Sequence, residues 1–135
     1  MIAEDLMNFL GNEGFGTVNT NLFLAFMPDS PNNCLIVRDM PAPNLSESDS
    51  LSVDMYTVQI ITRNENYITA RDLLQSIHKR IVGFGGESLV VGGDIVSYIT
   101  INTQPTSIGK DEKGRNEWSG HYNLRVQSTN DTYRL

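Results

Sequence analysis

One cysteine and two histidines are the residues whose types could form a nucleophile with its general base. Cys34 lies in an apolar run, whereas His78 and His121 lie far from it in the chain. A nucleophilic cysteine needs a histidine within hydrogen-bond reach, and neither histidine stands at a metal-ligand spacing such as HExxH. A hydrolase that uses Cys34 with His78 or His121 is one alternative, but the pattern favours a buried strand cysteine and two surface histidines.

The glycine-rich and charged motifs lack the order that their chemistry requires. The segment GFGGES at 83–88 follows a predicted helix, whereas a phosphate-binding loop follows a strand and ends in GK[ST]. The segment KDEKGR at 110–115 mixes both signs of charge, which is typical of a solvated loop tip rather than of a basic nucleic-acid patch. The aspartates do not form a local ligand cluster. We therefore expect no enzyme activity, no cofactor and no metal site.

Length and charge narrow the class of protein further. The chain has 135 residues, of which 39% are hydrophobic, and a net charge of −6. These values predict one globular domain over residues 1–135. An acidic chain gains nothing from releasing phosphate counterions, so specific nucleic-acid binding is disfavoured, although an acidic wall suits a passage through which DNA slides. The single cysteine excludes an intrachain disulfide, and no apolar stretch approaches the roughly 18 residues that a membrane span needs.

Hydrophobic periodicity divides the chain into elements that would position these residues. Helical spacing predicts helices at 2–10 and 67–81, with Asn64 or Asn66 as the N-cap of the second. Runs rich in β-branched residues predict a hairpin-like pair of strands, a long strand whose alternation changes phase near Met55, and three later strands. A bulge near Met55, or a strand that leaves one subunit's sheet to meet something else, would explain the change of phase. In order, these strands span 22–27, 33–39, 51–63, 88–91, 95–104 and the residues from Trp118 onward.

This order of elements predicts an α+β fold in which a mainly antiparallel sheet is covered on one face by two helices. The polar segments at 41–50 and 106–116 have little to bury, so we expect them to be flexible loops. The core is expected where periodicity coincides with apolar type, at Leu6, Phe9, Leu10, Val58, Ile60, Leu73, Leu74, Ile77, Ile81, Tyr122, Leu124 and Val126.

Three segments resemble a known family. They are FMPDSPNNCLIVRDMPAPN, VQIITRNENYITARDLLQSIHKRI and SYITINTQPTSIGKDEKGRNEWSGHYNLRVQ. Together with the short N-terminal helix they look like the tail terminators, which are minor capsid or tail completion proteins of long-tailed bacteriophages. The resemblance covers nearly the whole chain, from Ile2 to Gln127. That family offers no catalytic residue to carry over.

The resemblance implies a structural virion protein at the head–tail junction, assembled in the cytoplasm of the bacterial host. It implies an α+β subunit that closes into a hexameric ring on the head-proximal end of the tail tube. This ring would end tail polymerisation and allow the head to join. Its implied partners are further copies of itself, the tail tube protein and a head completion protein. DNA would pass through the ring without being bound, and no membrane would be involved.

Two other functions remain open at this point. A head completion or connector protein has the same broad role, and a small-molecule-binding α+β domain would need a concave apolar pocket, for which Tyr56, Tyr98 and Tyr122 are the candidate lining.

Four residues are candidate contacts between subunits. Leu45 and Leu51 flank the acidic loop, and Lys110 and Arg115 are cations in the second polar segment of an acidic protein. The alternative for Leu51 is that it begins a core strand, and the alternative for the two cations is that they are solvated, in which case surface pairs contribute only about 0 to 1 kcal/mol.

Overall fold

The computed structural model describes residues 2–40, 53–82, 89–91 and 94–127. Its strands form one sheet in the order β1-β2-β3-β6-β5-β4, and both helices pack against one face of that sheet. This confirms the predicted α+β fold. The elements are α1 (Ile2–Asn12), β1 (Leu22–Leu24), β2 (Cys34–Met40), β3 (Val53–Asn64), α2 (Tyr67–Val82), β4 (Leu89–Val91), β5 (Asp94–Lys110) and β6 (Asn116–Gln127).

β3 lies at the centre of the sheet and corrects the expectation of a bulge. It pairs antiparallel with β2 and with β6 in continuous register, and Met55 lies directly opposite Arg125. The phase change in the sequence has another cause. Tyr56 and Val58 face the helices at alternate positions, and Met55, one residue earlier, is a half-buried apolar residue on the opposite face. Both faces of the strand carry apolar residues there.

β1 and β2 are not the expected hairpin, because they run parallel. Leu22 pairs with Leu35 and Leu24 with Val37. A parallel pair requires the chain to travel back to the start of the next strand, usually through a dozen residues or more. Residues 25–33 make this return, and beyond the Ala25 amide, which donates to Val37 of β2, no strand of the described chain pairs with their backbone. The hydrogen bonds that replace a strand come from two arginine side chains, described below.

The helix expectations are largely confirmed. Asn66 caps α2, because its Oδ1 accepts a hydrogen bond of 3.0 Å from the Thr69 amide. The buried face of α2 follows the predicted spacing. α1 is two residues longer than predicted, and Arg80 of α2 fastens it through an ion pair with Glu13 at 2.6 Å and a guanidinium lying 5.1 Å from the centre of the Phe9 ring.

Most of the predicted core residues are buried between the helices and the sheet. Phe9 and Leu73 are only partly buried, and the side chain of Val126 lies outside the described residues. The predicted core left out buried residues on both helices, β1, β2, β5 and the start of β6, because short strands and small residues give weak periodicity. They include Ile2, Ala3, Met7, Leu22, Leu35, Val37, Ala70, Ile99 and Trp118.

The segment at 106–116 is mostly strand rather than loop. β5 continues to Lys110 and β6 begins at Asn116, so only a tight turn separates them. Gly114 has a φ of 77° there, a left-handed conformation that glycine adopts without strain. The other expected flexible loop, at 41–50, lies outside the described residues.

Candidate assembly surface

One side of β5 is open over most of its length. Its inner side pairs with β6 as far as Lys110, whereas β4 pairs with it only at Asp94–Val96. In the described chain no strand pairs with the outer side from Tyr98 to Lys110. Such an edge presents unpaired N–H and C=O groups, and native proteins usually place charged residues on it to prevent pairing. β5 has no charged residue between Asp94 and Lys110.

The open edge carries exposed apolar residues but is regular only in part. Ile101 is 38% exposed and Ile108 is 52% exposed. Register shifts against β6 interrupt the strand at several points, leaving Tyr98–Ile101 as a regular piece, and Pro105 has no N–H to donate. Bulges and proline shorten the stretch that a foreign strand could pair with. The edge therefore suits a short, specific contact.

The apolar surface continues from β5 onto the start of α2. Tyr67 and Ile68 are 45% and 46% exposed. The Tyr67 ring makes an edge contact with Trp118, with 5.3 Å between ring centres, and Trp118 pairs with Ser107 of β5. Trp118 Nε1 is buried, and no acceptor for its N–H is found in the described part of the chain.

At the opposite edge of the sheet, one large apolar side chain projects into solvent. Phe26 is 71% exposed and follows β1 directly. Ala25 before it has a φ of 68°, and its amide donates to the carbonyl of Val37 at 2.8 Å. This bond keeps the end of β1 against β2, so the backbone that presents Phe26 is held in place.

Arg63 holds the return segment 25–33 from the end of β3. It is only 4% exposed. Its Nε donates to the carbonyl of Asn32 at 3.1 Å, and its Nη2 donates to the carbonyl of Pro28 at 2.7 Å and also to that of Pro31. A guanidinium supplies several donors from one side chain, so this one buried side chain bonds to carbonyls at three points of the segment. Arg63 therefore donates the hydrogen bonds to this segment that the backbone amides of a neighbouring strand would otherwise donate.

Arg115 fastens the same segment to the turn between β5 and β6. Its Nε donates to Asp111 Oδ2 at 2.7 Å, and its two Nη atoms donate to the carbonyl and the carboxylate of Asp29. Arg115 is 5% exposed. The alternative that Arg115 is a solvated charge is therefore wrong, because the residue is buried and intrachain partners take up its donors. As a contact between subunits, Arg115 remains a prediction.

The carboxylates of this network are held in their charged form. A hydrogen bond from Lys113 lowers the pKa of Asp29, with a further contribution from Arg115. Burial alone would raise the pKa of Asp111, but hydrogen bonds from the backbone and side chain of Arg115 and from the backbone of Lys113 outweigh it and lower that pKa. The network is thus fully charged near neutral pH.

The other three candidate contact residues have different outcomes. Lys110 ends β5 and is exposed, so it remains available to a partner. Leu45 and Leu51 lie outside the described residues. As contacts between subunits, these three residues remain predictions.

The sheet face away from the helices carries a hydrogen-bonded polar strip. Gln59 accepts from Arg38 Nε at 2.6 Å and donates to Ser119 Oγ at 2.8 Å. Thr57 donates to Asn123 Oδ1 at 2.7 Å in the same strip. These bonds cross β2, β3 and β6, so they fix the side chains on a face that neither helix covers.

The two histidines are less exposed than expected. His78 Nδ1 lies 2.8 Å from the Tyr122 hydroxyl, and burial lowers the pKa of His78. His121 lies half-buried beside the polar strip, and its Nε2 is buried without a hydrogen-bond partner in the described chain. The expectation of two plain surface histidines is corrected, because neighbouring strand and helix side chains cover their ring nitrogens.

The structure does not bring Cys34 and either histidine together. Cys34 pairs with Arg63, which pairs with Glu117, and His121 is four residues further along β6. Strand spacing and rise therefore put Cys34 and His121 about 16 Å apart between Cα atoms. His78 reaches the helix-covered face of the sheet, away from Cys34. Burial also raises the pKa of the Cys34 thiol, the opposite of what a nucleophile needs.

Other kinds of site gain no support from the described residues. Tyr122 is fully buried and Tyr56 packs against the core, so these two do not line an open pocket, and the side chain of Tyr98 lies outside the described residues. Within the described ranges no group of three or more histidine, cysteine, aspartate or glutamate side chains could hold a metal ion. No helix among them is long and apolar enough to cross a membrane.

The sequence analysis missed Phe26, Ile101 and Ile108, yet the sequence carries a signal for them. Two stretches of fifteen residues, 14–28 and 95–109, contain no charged residue. They are the longest such stretches in the chain. The first contains β1, at one edge of the sheet, and the second contains most of β5, beyond which only the short β4 lies.

Comparison with known proteins agrees with the resemblance described above. A family model of the bacteriophage tail terminator protein matches residues 9–128. A solved structure is similar to the chain with a TM-score of 0.52 and 15% identity, over 94% of this chain and 91% of that chain. At that identity the likeness concerns the fold alone. No curated protein matches significantly.

Proposed function

Because the chain belongs to the bacteriophage tail terminator family, we propose that it forms a ring on the head-proximal end of the tail tube. There it ends tube polymerisation and provides the surface that the head joins. Its partners are further copies of itself, in a ring of six, together with the tail tube protein and a head completion protein. Its place in the virion is the head–tail junction, and it acts without catalysis.

The observation that carries this proposal is the extent of the family match. Residues 9–128 include α2, every strand of the sheet and the last turn of α1, so membership rests on most of the folded unit and not on a short fragment. Membership in the family makes the chain a structural protein of the phage tail.

The arrangement of the sheet supports assembly. The helices cover one face only, and the edges carry apolar side chains without charges: Phe26 on one side, Ile101 and Ile108 on the other. The cores of protein interfaces are depleted in charged residues and enriched in aromatic ones. A compact unit with two such edges can contact two neighbours at once.

The net charge supports a passage for DNA. A charge of −6 repels phosphates, so DNA meets a surface on which it does not stick. This differs from a protein that grips DNA, which needs a basic surface. We propose that DNA passes through the ring without specific binding.

Three residues are proposed as contacts in the assembled ring: Leu45, Leu51 and Lys110. The variant that combines Leu45→Ser, Leu51→Ser and Lys110→Glu should fail to close rings or to cap tails while its subunit remains folded. A folded variant that still supports tails of normal length would remove these three residues from the contact set.

The function is tested in a phage that lacks this gene and is supplied with the protein from a plasmid. Without the protein, tubes should grow beyond their normal length and remain without heads, as seen by electron microscopy. With it, both length and head joining should be restored. The variant Arg71→Ala, in an exposed pair on α2, is the matched control and should restore both.

Tail length and head joining separate the proposal from the head completion alternative. A head completion protein acts after the tail is finished, so its loss would leave tails of normal length that lack heads. That result would overturn the terminator role.

A further inference from the structure

We propose that the ring is built edge to edge, with Phe26 of one copy seated on the open edge of β5 of the next copy, between Ile101 and Ile108. This inference rests on the proposed function, because a ring needs two different surfaces on each subunit. A contact between unlike surfaces closes into a ring when its rotation allows, whereas a contact of one surface with itself gives a closed dimer.

Charge identifies which surfaces two copies can bring together. Copies of a chain with a net charge of −6 repel each other, so contact is least costly where neither surface carries acidic groups. The charge-free stretches 14–28 and 95–109 meet this condition. They lie at the first and fifth positions of the six-stranded sheet, and only the short β4 lies beyond the second.

The level of Phe26 along the strands follows from the hydrogen-bond register. Ala25 bonds to the carbonyl of Val37. Val37 pairs with Ile60 of β3, and Ile60 pairs with Gly120 of β6. Phe26, one residue further on, therefore projects near the level of Gly120.

The same level on the far edge falls between the two exposed isoleucines. The neighbours of Gly120 on β6 pair with Thr103 and Thr106 of β5. Ile101 precedes this stretch and Ile108 follows it. When subunits stand side by side with their strands along the ring axis, rotation about that axis keeps the level unchanged. Phe26 of one copy then meets the gap between Ile101 and Ile108 of the next.

The register shifts of β5 fit this contact. Shifts on both sides of Thr103 interrupt continuous strand pairing, so a neighbour cannot simply extend the sheet along the whole edge. A single aromatic side chain between two isoleucines needs no continuous pairing. The bulges therefore suppress open-ended sheet growth and leave the apolar contact available.

Cross-linking of two variants that each carry one added cysteine tests the proposal. Full-length chains carrying Phe26→Cys and Ile101→Cys are mixed on isolated tail tubes and treated with a short bismaleimide. The native Cys34 is only 4% exposed. The unsubstituted chain, treated in the same way, measures any cross-linking that occurs through Cys34. We expect a cross-linked dimer from the mixture and none from either variant alone. The mixture of Phe26→Cys with Asn8→Cys, on the exposed side of α1, is the matched control and should not cross-link.

Three other results would overturn the proposal. Cross-linking of Ile101→Cys with itself would mean that two β5 edges meet symmetrically. Rings on tubes without the Phe26–Ile101 product would reject this edge assignment and leave the proposed function intact. Absence of any ring on tubes would reject both.

A charge placed on either edge gives a second readout. Phe26→Lys should raise the concentration needed for ring formation by about tenfold or more, which corresponds to the loss of one buried aromatic contact. Ile101→Lys should do the same, whereas Asn8→Lys should not. Because Phe26 and Ile101 are exposed, the variants should keep the melting temperature of the unsubstituted subunit. Unchanged ring formation in both edge variants would contradict the proposal.

Discussion

His78 of α2 and Tyr122 of β6 share a hydrogen bond of 2.8 Å across the helix-covered face of the sheet. Burial lowers the pKa of His78 and raises that of Tyr122, so both groups are neutral near pH 7. The bond joins the longest helix to the middle of the sheet. It ties the stability of the subunit to pH through one histidine.

The first prediction concerns that pH dependence. The folded chain holds His78 neutral, so the unfolded chain binds the proton first as the pH falls below the ordinary histidine value of about 6.5. The free energy of unfolding should therefore decrease between pH 7.5 and pH values below 6.5. In His78→Gln, whose amide oxygen can still accept from Tyr122, this decrease should be smaller. Urea unfolding at several pH values measures it, and equal slopes in both proteins would contradict the account.

The second prediction concerns the space above Gly120. A Cβ at this position would lie 2.8 Å from the Tyr122 hydroxyl, so Gly120→Ala should displace the ring and destabilise the fold. Tyr122→Phe alone should cost about 1 kcal/mol for the lost hydrogen bond. In the double variant Gly120→Ala should cost less than it does alone, because the nearest atom is gone. If the stability losses of the two single variants simply add in the double variant, the contact between residue 120 and the Tyr122 hydroxyl would be contradicted.

The third prediction sets the register of α2. Leu74 is fully buried, whereas Leu73 is only partly buried. Leu74→Ala should lower the free energy of unfolding by about 2 to 5 kcal/mol, and Leu73→Ala should lower it by clearly less. A loss for Leu74→Ala no larger than that for Leu73→Ala would place the helix in a different register.

The fourth prediction concerns the arginine that replaces a strand. Arg63→Met keeps much of the side-chain volume but removes the hydrogen bonds to three carbonyls of the return segment, which should cost about 1 to 3 kcal/mol. Arg63→Lys should recover only part of this loss, because an ammonium group cannot reach carbonyls spread along the segment as a guanidinium does. Full recovery by lysine would show that charge alone matters there.

The fifth prediction compares two residues of the turn between β5 and β6. Asp111→Ala should destabilise the subunit more than Lys113→Ala. Asp111 accepts three hydrogen bonds from Lys113 and Arg115, whereas Lys113 forms an exposed pair with Asp29, and such pairs contribute about 0 to 1 kcal/mol. Hydrogen exchange of the amides at 111–116 should increase in the aspartate variant only. Equal exchange in both would place the stability of the turn elsewhere.

The fold was predictable where the pattern is long and periodic. The stripe of α2 and the alternation of β6 identified Leu74 and Tyr122 as core residues because each element repeats its period several times. β1 has three residues, too few for a period, so its parallel pairing was missed. The roles of Arg63 and Arg115 depend on segments that are distant in sequence, and no local pattern reveals such partners.

The site was predictable only in its general nature. The absence of a catalytic constellation indicated a role in assembly, but the contact residues were sought in the polar segments. In the structure the exposed apolar residues instead include Phe26 and Ile101. The sequence could not identify them, because the exposure of an apolar side chain depends on what packs against it and not on its neighbours in the sequence. The charge-free stretches were the available signal for these edges.

Growth of tail tubes in vitro tests the central proposal most directly. Purified tube protein is allowed to polymerise, the chain is added, and tube length is followed by electron microscopy. The account predicts that growth stops at the end facing the head and that a ring occupies this end on every arrested tube. Tubes that continue to lengthen at an unchanged rate, with the chain in solution or along their sides, would contradict it.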